Sequence, residues 1–278
     1  MSKRHHLLAA ILFVLATVTL TVNLQAADEK VKALIVTGFD VGSHKWEELT
    51  KLIEQVLNKT GRFDVTVSKD KEVFGTKSLS DYHVVVLSYG FWKEADPSEK
   101  AKAGLLKYAK DGGNVVALHF ACSSFQDWKE YGELLGRVWV KGTGGHGPYG
   151  QFTVNIKDKV HPITKGITDF KTEDELYAKL SGDAKIEVLA TAYSKWSSKV
   201  EPIVYVKSYG KGRVVHNVLG HGIDSKQNPH YQKLLCRGVE WAATGKVTVD
   251  WLSTIVLRRR VCFPPNRTPS FMRCFQQY

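Results

Sequence analysis

The chain is poor in cysteine, with four in 278 residues and no Cys-x-x-Cys pair. That is too few for a disulfide scaffold, and a thiolate zinc knuckle is not expected without the pair. Cys122 and Cys236 sit in apolar surroundings and read as buried thiols. Cys262 and Cys274 would pair only in an oxidising compartment. No Gly-x-x-x-x-Gly-Lys-Ser/Thr phosphate loop occurs, and no nucleotide is expected. No internal repeat and no linker divide the chain, so one main domain is expected over residues 28–246.

An excess of acid is also lacking: the formal charge is +11. It is unevenly placed. Lys3 and Arg4 supply two charges and residues 247–278 a net four, leaving +5 for residues 27–246. Nothing there interleaves basic and aromatic residues as a nucleic-acid surface would, so no nucleic-acid partner is expected. An apolar share of 43% and a charged share of 24% describe an ordinary globule.

The N-terminus differs. Lys3, Arg4, His5 and His6 precede the apolar run Leu7–Leu20, and Leu24-Gln-Ala-Ala27 supplies small residues. This is the pattern of a secretory signal peptide over residues 1–26, cleaved after Ala26 or Ala27. An uncleaved anchor is the alternative, since the run nearly spans a bilayer. The mature protein is expected to be secreted or periplasmic, with no stable membrane insertion. Residues 247–278 form a basic, proline-broken tail with no assigned structure.

Val31–Thr37, His83–Leu87 and Asn114–Phe120 are continuous apolar runs, as buried parallel strands require. Phe63–Val67 alternates as a strand. Between them lie two helical patterns. One runs from Trp46 to Leu57, with Ser43 as N-cap and Gly61 as C-cap. The other is opened by Asp96-Pro-Ser-Glu99 and stopped by Gly112-Gly113. Helices between apolar strands predict a parallel sheet covered on both faces. The second half alternates at Phe152–Ile156, Ile186–Ala190 and Ile203–Val206, and a hairpin at Tyr209–Gly212 leads into Arg213–Leu219. Asn228-Pro229 caps a last helix ending at Gly245.

Four histidines fall where strands end: His44, His119, His146 and His221. The carboxyl ends of strands in open α/β sheets are where ligands bind. Imidazoles gathered there can hold a metal or move protons. His119 holds the strand-to-turn position where α/β hydrolases display a nucleophile; a core histidine that merely hydrogen-bonds is the alternative. Cys122 is the rival nucleophile. His146 lies in the glycine-rich stretch Gly142–Gly147, which either lets backbone approach a ligand or is simply a surface loop. Asp174 and Glu175 either start a helix or point into the cleft as base or metal ligand. His161, before a proline, reads as a turn residue, and His216 as packing. Trp46, Trp92 and Trp128 are potential sugar-stacking rings, each more simply read as core.

Ala33–Gly38 with His44, Leu118-His119, Gly144-Gly-His146, His161-Pro-Ile-Thr164, Asp174-Glu-Leu-Tyr177, Gly210–Arg213 through Gly220-His221, and Arg237–Ala242 together resemble the ThuA-like (trehalose utilisation) family. The resemblance covers about residues 31–244. It implies a class I glutamine amidotransferase-like, flavodoxin-like α/β fold, a mostly parallel sheet flanked by helices, here with an added β-hairpin. In amidotransferases a cysteine occupies the turn where this chain has His119, so glutamine hydrolysis by a thiolate is not expected. The family is linked to sugar metabolism.

The expected function is therefore a carbohydrate-active enzyme acting on a sugar or keto-sugar by isomerase, lyase or hydrolase chemistry. His119, Glu175 and His146 are expected to carry catalysis. His44, Gly145, Asp174 and His221 would contact substrate. A divalent metal of unspecified identity would sit on His119, His146 and His221. A non-catalytic sugar-binding module and a Cys122 hydrolase are the alternatives.

Overall fold

The computed structural model describes residues 29–249. The expected signal peptide, Cys262, Cys274 and the tail from position 250 lie outside the described residues. In chain order the elements are β1 (Val31–Val36), α1 (Trp46–Lys59), β2 (Phe63–Ser68), β3 (Val84–Leu87), α2 (Glu99–Asp111), β4 (Asn114–Leu118), α3 (Lys129–Leu135), β5 (Gly145–His146), β6 (Gly150–Ile156), β7 (Phe170–Asp174), β8 (Tyr177–Ala178), β9 (Glu187–Ser194), β10 (Lys199–Tyr209), β11 (Gly212–Asn217), α4 (Ile223–Gln227) and α5 (Pro229–Thr244).

The large sheet runs β2-β1-β3-β4-β11-β10-β9-β6-β7. Its first five strands are parallel neighbours; the rest pair antiparallel. Because strand side chains alternate, each central strand feeds two cores. Ala33, Ile35, Val84 and Val86 pack with Ile53 and Leu57 of α1 and Leu235 and Val239 of α5. Leu34, Val36, Val85 and Leu87 pack with Leu105 of α2 and Leu134 of α3. Each Val, Leu or Ile among them contributes roughly 1.5–3 kcal/mol on burial. Burial on both faces is why these runs are almost wholly apolar; Lys32, near the start of β1, is exposed, and Asn114 opens β4.

Several expected boundaries move. α1 has no side-chain cap from Ser43 or any neighbour; Glu47 and Glu48 meet its dipole instead. In α2 the cap is Ser98, which accepts from Ala101 N at 3.3 Å, because the Asp96 carboxylate is drawn 2.9 Å from Lys102. The last helix is capped as expected, Asn228 accepting from His230 N at 2.9 Å. The single added hairpin is in fact a four-strand antiparallel extension. Residues 172–174, open to a helix-start reading, lie in β7. There Phe170, Thr172 and Asp174 face in while Lys171 and Glu173 face out. The folded unit also passes position 246: Glu240 accepts from Thr248 N and Val249 N, each at 2.8 Å.

His216 on β11 is fully buried against Tyr205, as packing, and its Nε2 has no hydrogen-bond partner among the described residues. Burial pushes its pKa down to about 3, from about 6.5 in an unfolded chain. The unfolded state therefore binds more protons between these values. The contribution is complete above about pH 6.5 and is lost as the pH falls toward 3, at about 1.4 kcal/mol per pH unit. Urea denaturation of His216→Leu between pH 7 and 4.5 should show an acid limb shallower than wild type by about that slope. Parallel limbs would refute the assignment.

Candidate functional site

The histidines converge at the carboxyl ends of the parallel strands. His44 arrives on the loop after β1, at the switch point of the strand order, where β1 lies between β2 and β3. His119 is the first residue past β4. It takes φ +45°, a left-handed conformation rare for a residue with a β-carbon. The turn costs on the order of 1–2 kcal/mol, offset by bonds to both ring nitrogens. His221 follows β11, just past Gly220. Gly220 sits at φ +112°, where a β-carbon would lie 2.7 Å from Lys226 Nζ. Glu175 leaves β7, four places from β11 in the sheet. Asp174, at the end of β7, ties it to the turn after β11 by accepting from Gly220 N and His221 N.

One ring nitrogen each of His44, His119 and His221 and one Glu175 carboxylate oxygen lie within 4.8 Å of one another. Proton positions follow from the hydrogen-bond network. His44 Nδ1 lies 2.6 Å from Asp40 Oδ1 and donates to it. That leaves His44 Nε2 as an acceptor, 2.9 Å from His221 Nδ1. His221 Nδ1 is also 3.0 Å from Glu175 Oε2. Two lone pairs thus face one proton, on a third donor atom. His119 donates from Nδ1 to Val218 O at 2.8 Å, and its Nε2 accepts from the Tyr177 hydroxyl at 2.7 Å.

Charge is tuned locally. Burial, then the neighbouring His44, hold the His119 pKa well below the usual imidazole value, so the ring is neutral. Burial pushes the Glu175 carboxyl up, but the hydrogen bond from His221 and the nearby His221, His146 and His44 outweigh it, leaving it below the usual range. Asp174 is fully buried, which pushes it up to about 6 against the hydrogen bonds it accepts. Those come from Gly220 N (2.7 Å), His221 N (2.9 Å) and Glu175 N (2.9 Å). Lys226, also buried and lowered to about 8, donates to Tyr231 at 3.0 Å.

Asp174 and Gly145, expected to contact substrate, have local structural roles. Asp174 has no exposed surface and accepts the backbone amides of Gly220, His221 and Glu175, which orients His221 and Glu175. At Gly145 a β-carbon would lie 2.5 Å from the Trp196 ring; the missing side chain makes room for Trp196. The stretch Gly142–Gly147 has the spacing Gly-x-Gly-x-x-Gly. In dinucleotide sites that spacing opens a helix; here it forms β5, paired with β8, and leads into β6. His146 is set opposite Tyr177 by that pairing. It lies outside the close group, against the expected ligand role: its Nδ1 donates to Gly147 O and its Nε2 stands 3.7 Å from Glu175 Oε2. His44, expected as a substrate contact, lies inside the group.

A model of the ThuA family, described as trehalose utilisation, matches residues 32–242. The chain belongs to the ThuA family. No curated protein matches it. Among solved structures, a ThuA-like protein from Parabacteroides merdae is 32% identical, with TM-score 0.70 over 79% of this chain and 92% of that one. A ThuA-like protein from Bacteroides uniformis is 18% identical, with TM-score 0.65 over 82% and 97%. A cytoplasmic protein of Salmonella typhimurium shares the fold at 17% identity and TM-score 0.56, over 76% and 99%.

In this ThuA chain the turn after β4 presents His119, and Cys122 is buried three residues on. Burial pushes its thiol up to about 12, leaving on the order of 1 in 10⁵ as thiolate at neutral pH. Cys122 is fully buried, with no exposed surface to meet a substrate, which speaks against a Cys122 hydrolase. Trp128 is core, stacked on Tyr131. Trp46 is half-buried under Lys69. Trp92 stands beside Phe120 and Trp139, and Trp139 in turn contacts His146 and Tyr177. Asp40, Tyr177, Trp139, Tyr149 and Lys226 were given no role from sequence. Only Tyr177 carried a signal, as the end of Asp174-Glu-Leu-Tyr177. Tyr149 follows His146 by three residues, and its ring lies 5.5 Å from that of His221.

Proposed function

We propose that this ThuA-family chain is a carbohydrate-active enzyme that moves protons on a sugar or keto-sugar at a divalent-metal centre, by isomerase, lyase or hydrolase chemistry. The observation that carries the reading is the set His44 Nε2, His221 Nδ1 and Glu175 Oε2, with successive atoms 2.9 and 3.0 Å apart. Ligands about 2.1 Å from one ion at right angles are about 3.0 Å apart. Imidazole nitrogen with one carboxylate suits zinc, manganese, iron, cobalt or nickel over calcium. Asp40 behind His44 is the carboxylate–histidine arrangement that fixes a metal-ligating ring.

When bound, the metal would polarise a sugar carbonyl or hydroxyl. His146 supports the role of proton carrier. Its Nδ1 is held by Gly147 O, its Nε2 is unprotonated in the neutral ring, and it is a third exposed at the mouth. A proton taken at Nε2 would face the Glu175 carboxylate. Trp92, Phe120 and Trp139 supply flat apolar surface of the kind sugar rings stack on. The family description, trehalose utilisation, agrees with a carbohydrate substrate. Secretion to the periplasm or beyond belongs to the same reading and rests on the N-terminal pattern alone.

Purified protein should carry about one equivalent of divalent metal. In deuterated water it should exchange a carbon-bound proton of a keto-sugar, followed by NMR, and His146→Ala should slow the exchange on the order of 100-fold with metal retained. Sugar binding without exchange or turnover would favour a non-catalytic module. Metal-free protein that still turns over sugar would remove the metal from the reading.

A further inference from the structure

Both nitrogens of the His119 ring are committed to the protein. Nδ1 donates to Val218 O at 2.8 Å, and Nε2 accepts from Tyr177 at 2.7 Å. Among the described residues, the facing nitrogens of His44 and His221 meet each other, and His221 Nδ1 meets Glu175. His119 Nε2 also stands further off, 4.0 Å from Glu175 Oε2.

We infer that Tyr177 is a positioning residue that keeps His119 out of the ligand set, so that a metal is held by His44, His221 and Glu175 while His119 faces it as a non-ligating imidazole. The inference rests on the metal centre proposed above. Tyr177 is fixed: it is 1% exposed, lies in β8 opposite His146, and is packed 4.2 Å from the His119 ring and 4.7 Å from Trp139. If His119 turned its lone pair to a metal, the buried Tyr177 hydroxyl would lose its acceptor. An unpaired buried donor costs about a factor of ten or more in an equilibrium. The His119 ring cannot rotate away without giving up Val218 O, and its backbone already holds a left-handed turn.

The test is cobalt(II) titration of the full chain, followed by calorimetry and visible absorption. His119→Gln and His119→Ala should bind cobalt within about threefold of wild type, and His221→Ala at least 100-fold more weakly. Tyr177→Phe frees His119 Nε2, so cobalt should bind about tenfold more tightly, with an altered visible spectrum. The double variant Tyr177→Phe/His119→Gln should restore the wild-type spectrum. Thermal melts of each variant confirm folding. Loss of cobalt in folded His119→Gln comparable to that in His221→Ala overturns the inference but leaves the metal centre standing. So does an unchanged spectrum in Tyr177→Phe. Wild-type protein that binds no cobalt, zinc or manganese overturns both.

Discussion

Glu175→Gln should lower divalent-metal affinity on the order of 100-fold or more and abolish sugar turnover, while the protein stays folded. The variant keeps the side chain's shape and an oxygen to accept from His221 Nδ1, now 3.0 Å from the carboxylate. It removes the one anionic donor of the close group. An amide oxygen is a weaker ligand for a divalent ion, and loss of even a supporting contact typically costs 10–100-fold. Stability should change by only about 1 kcal/mol, because an amide in a half-buried position still satisfies the hydrogen bond. Metal content after dialysis and a thermal melt separate the two effects. Full metal retention would show that Glu175 is not a ligand. A collapsed melt would show that its charge supports the fold.

Asp174→Ala should be the most destabilising single change at the site. The carboxylate accepts three backbone amides that join the end of β7 to the turn after β11. It is fully buried, and so is Lys226, whose charge it offsets. Removing it orphans three donors and leaves a buried cation with less compensation. At about 1–3 kcal/mol per orphaned group, the loss is at least about 3 kcal/mol, out of a total near 5–15 kcal/mol for most domains. Asp174→Asn should fare little better. Its amide nitrogen would face either Gly220 N or His221 N, donor against donor. Urea denaturation measures both variants. A loss under about 1 kcal/mol in Asp174→Ala would mean that water replaces the carboxylate and that the two loops are held by other contacts.

Much of the parallel half was legible because its strands are buried on both faces. Val31–Val36, Val84–Leu87 and Asn114–Leu118 are mostly apolar on both faces, and their spacing with two amphipathic helices points to a parallel sheet. The antiparallel extension was harder. β7 hides its period of two, since its inward residues include Thr172 and Asp174. A buried carboxylate in a strand looks, in one dimension, like the acidic start of a helix.

The sequence by itself determined the α/β core, the family, and the placing of His44, His119 and His221 at strand ends, because hydrophobic period and strand length are local properties. Tertiary structure alone decided which donors share a centre. His44 and His221 are separated by 177 positions, yet their nitrogens lie 2.9 Å apart. Glu175 reaches them from the end of β7, which Asp174 ties to the turn after β11, and His146, in β5 paired with β8, stays 3.7 Å from Glu175 Oε2. Tyr177 becomes visible as a partner of His119 only in three dimensions. Hydrogen bonds between distant segments depend on how those segments pack, and no local pattern in the chain encodes them.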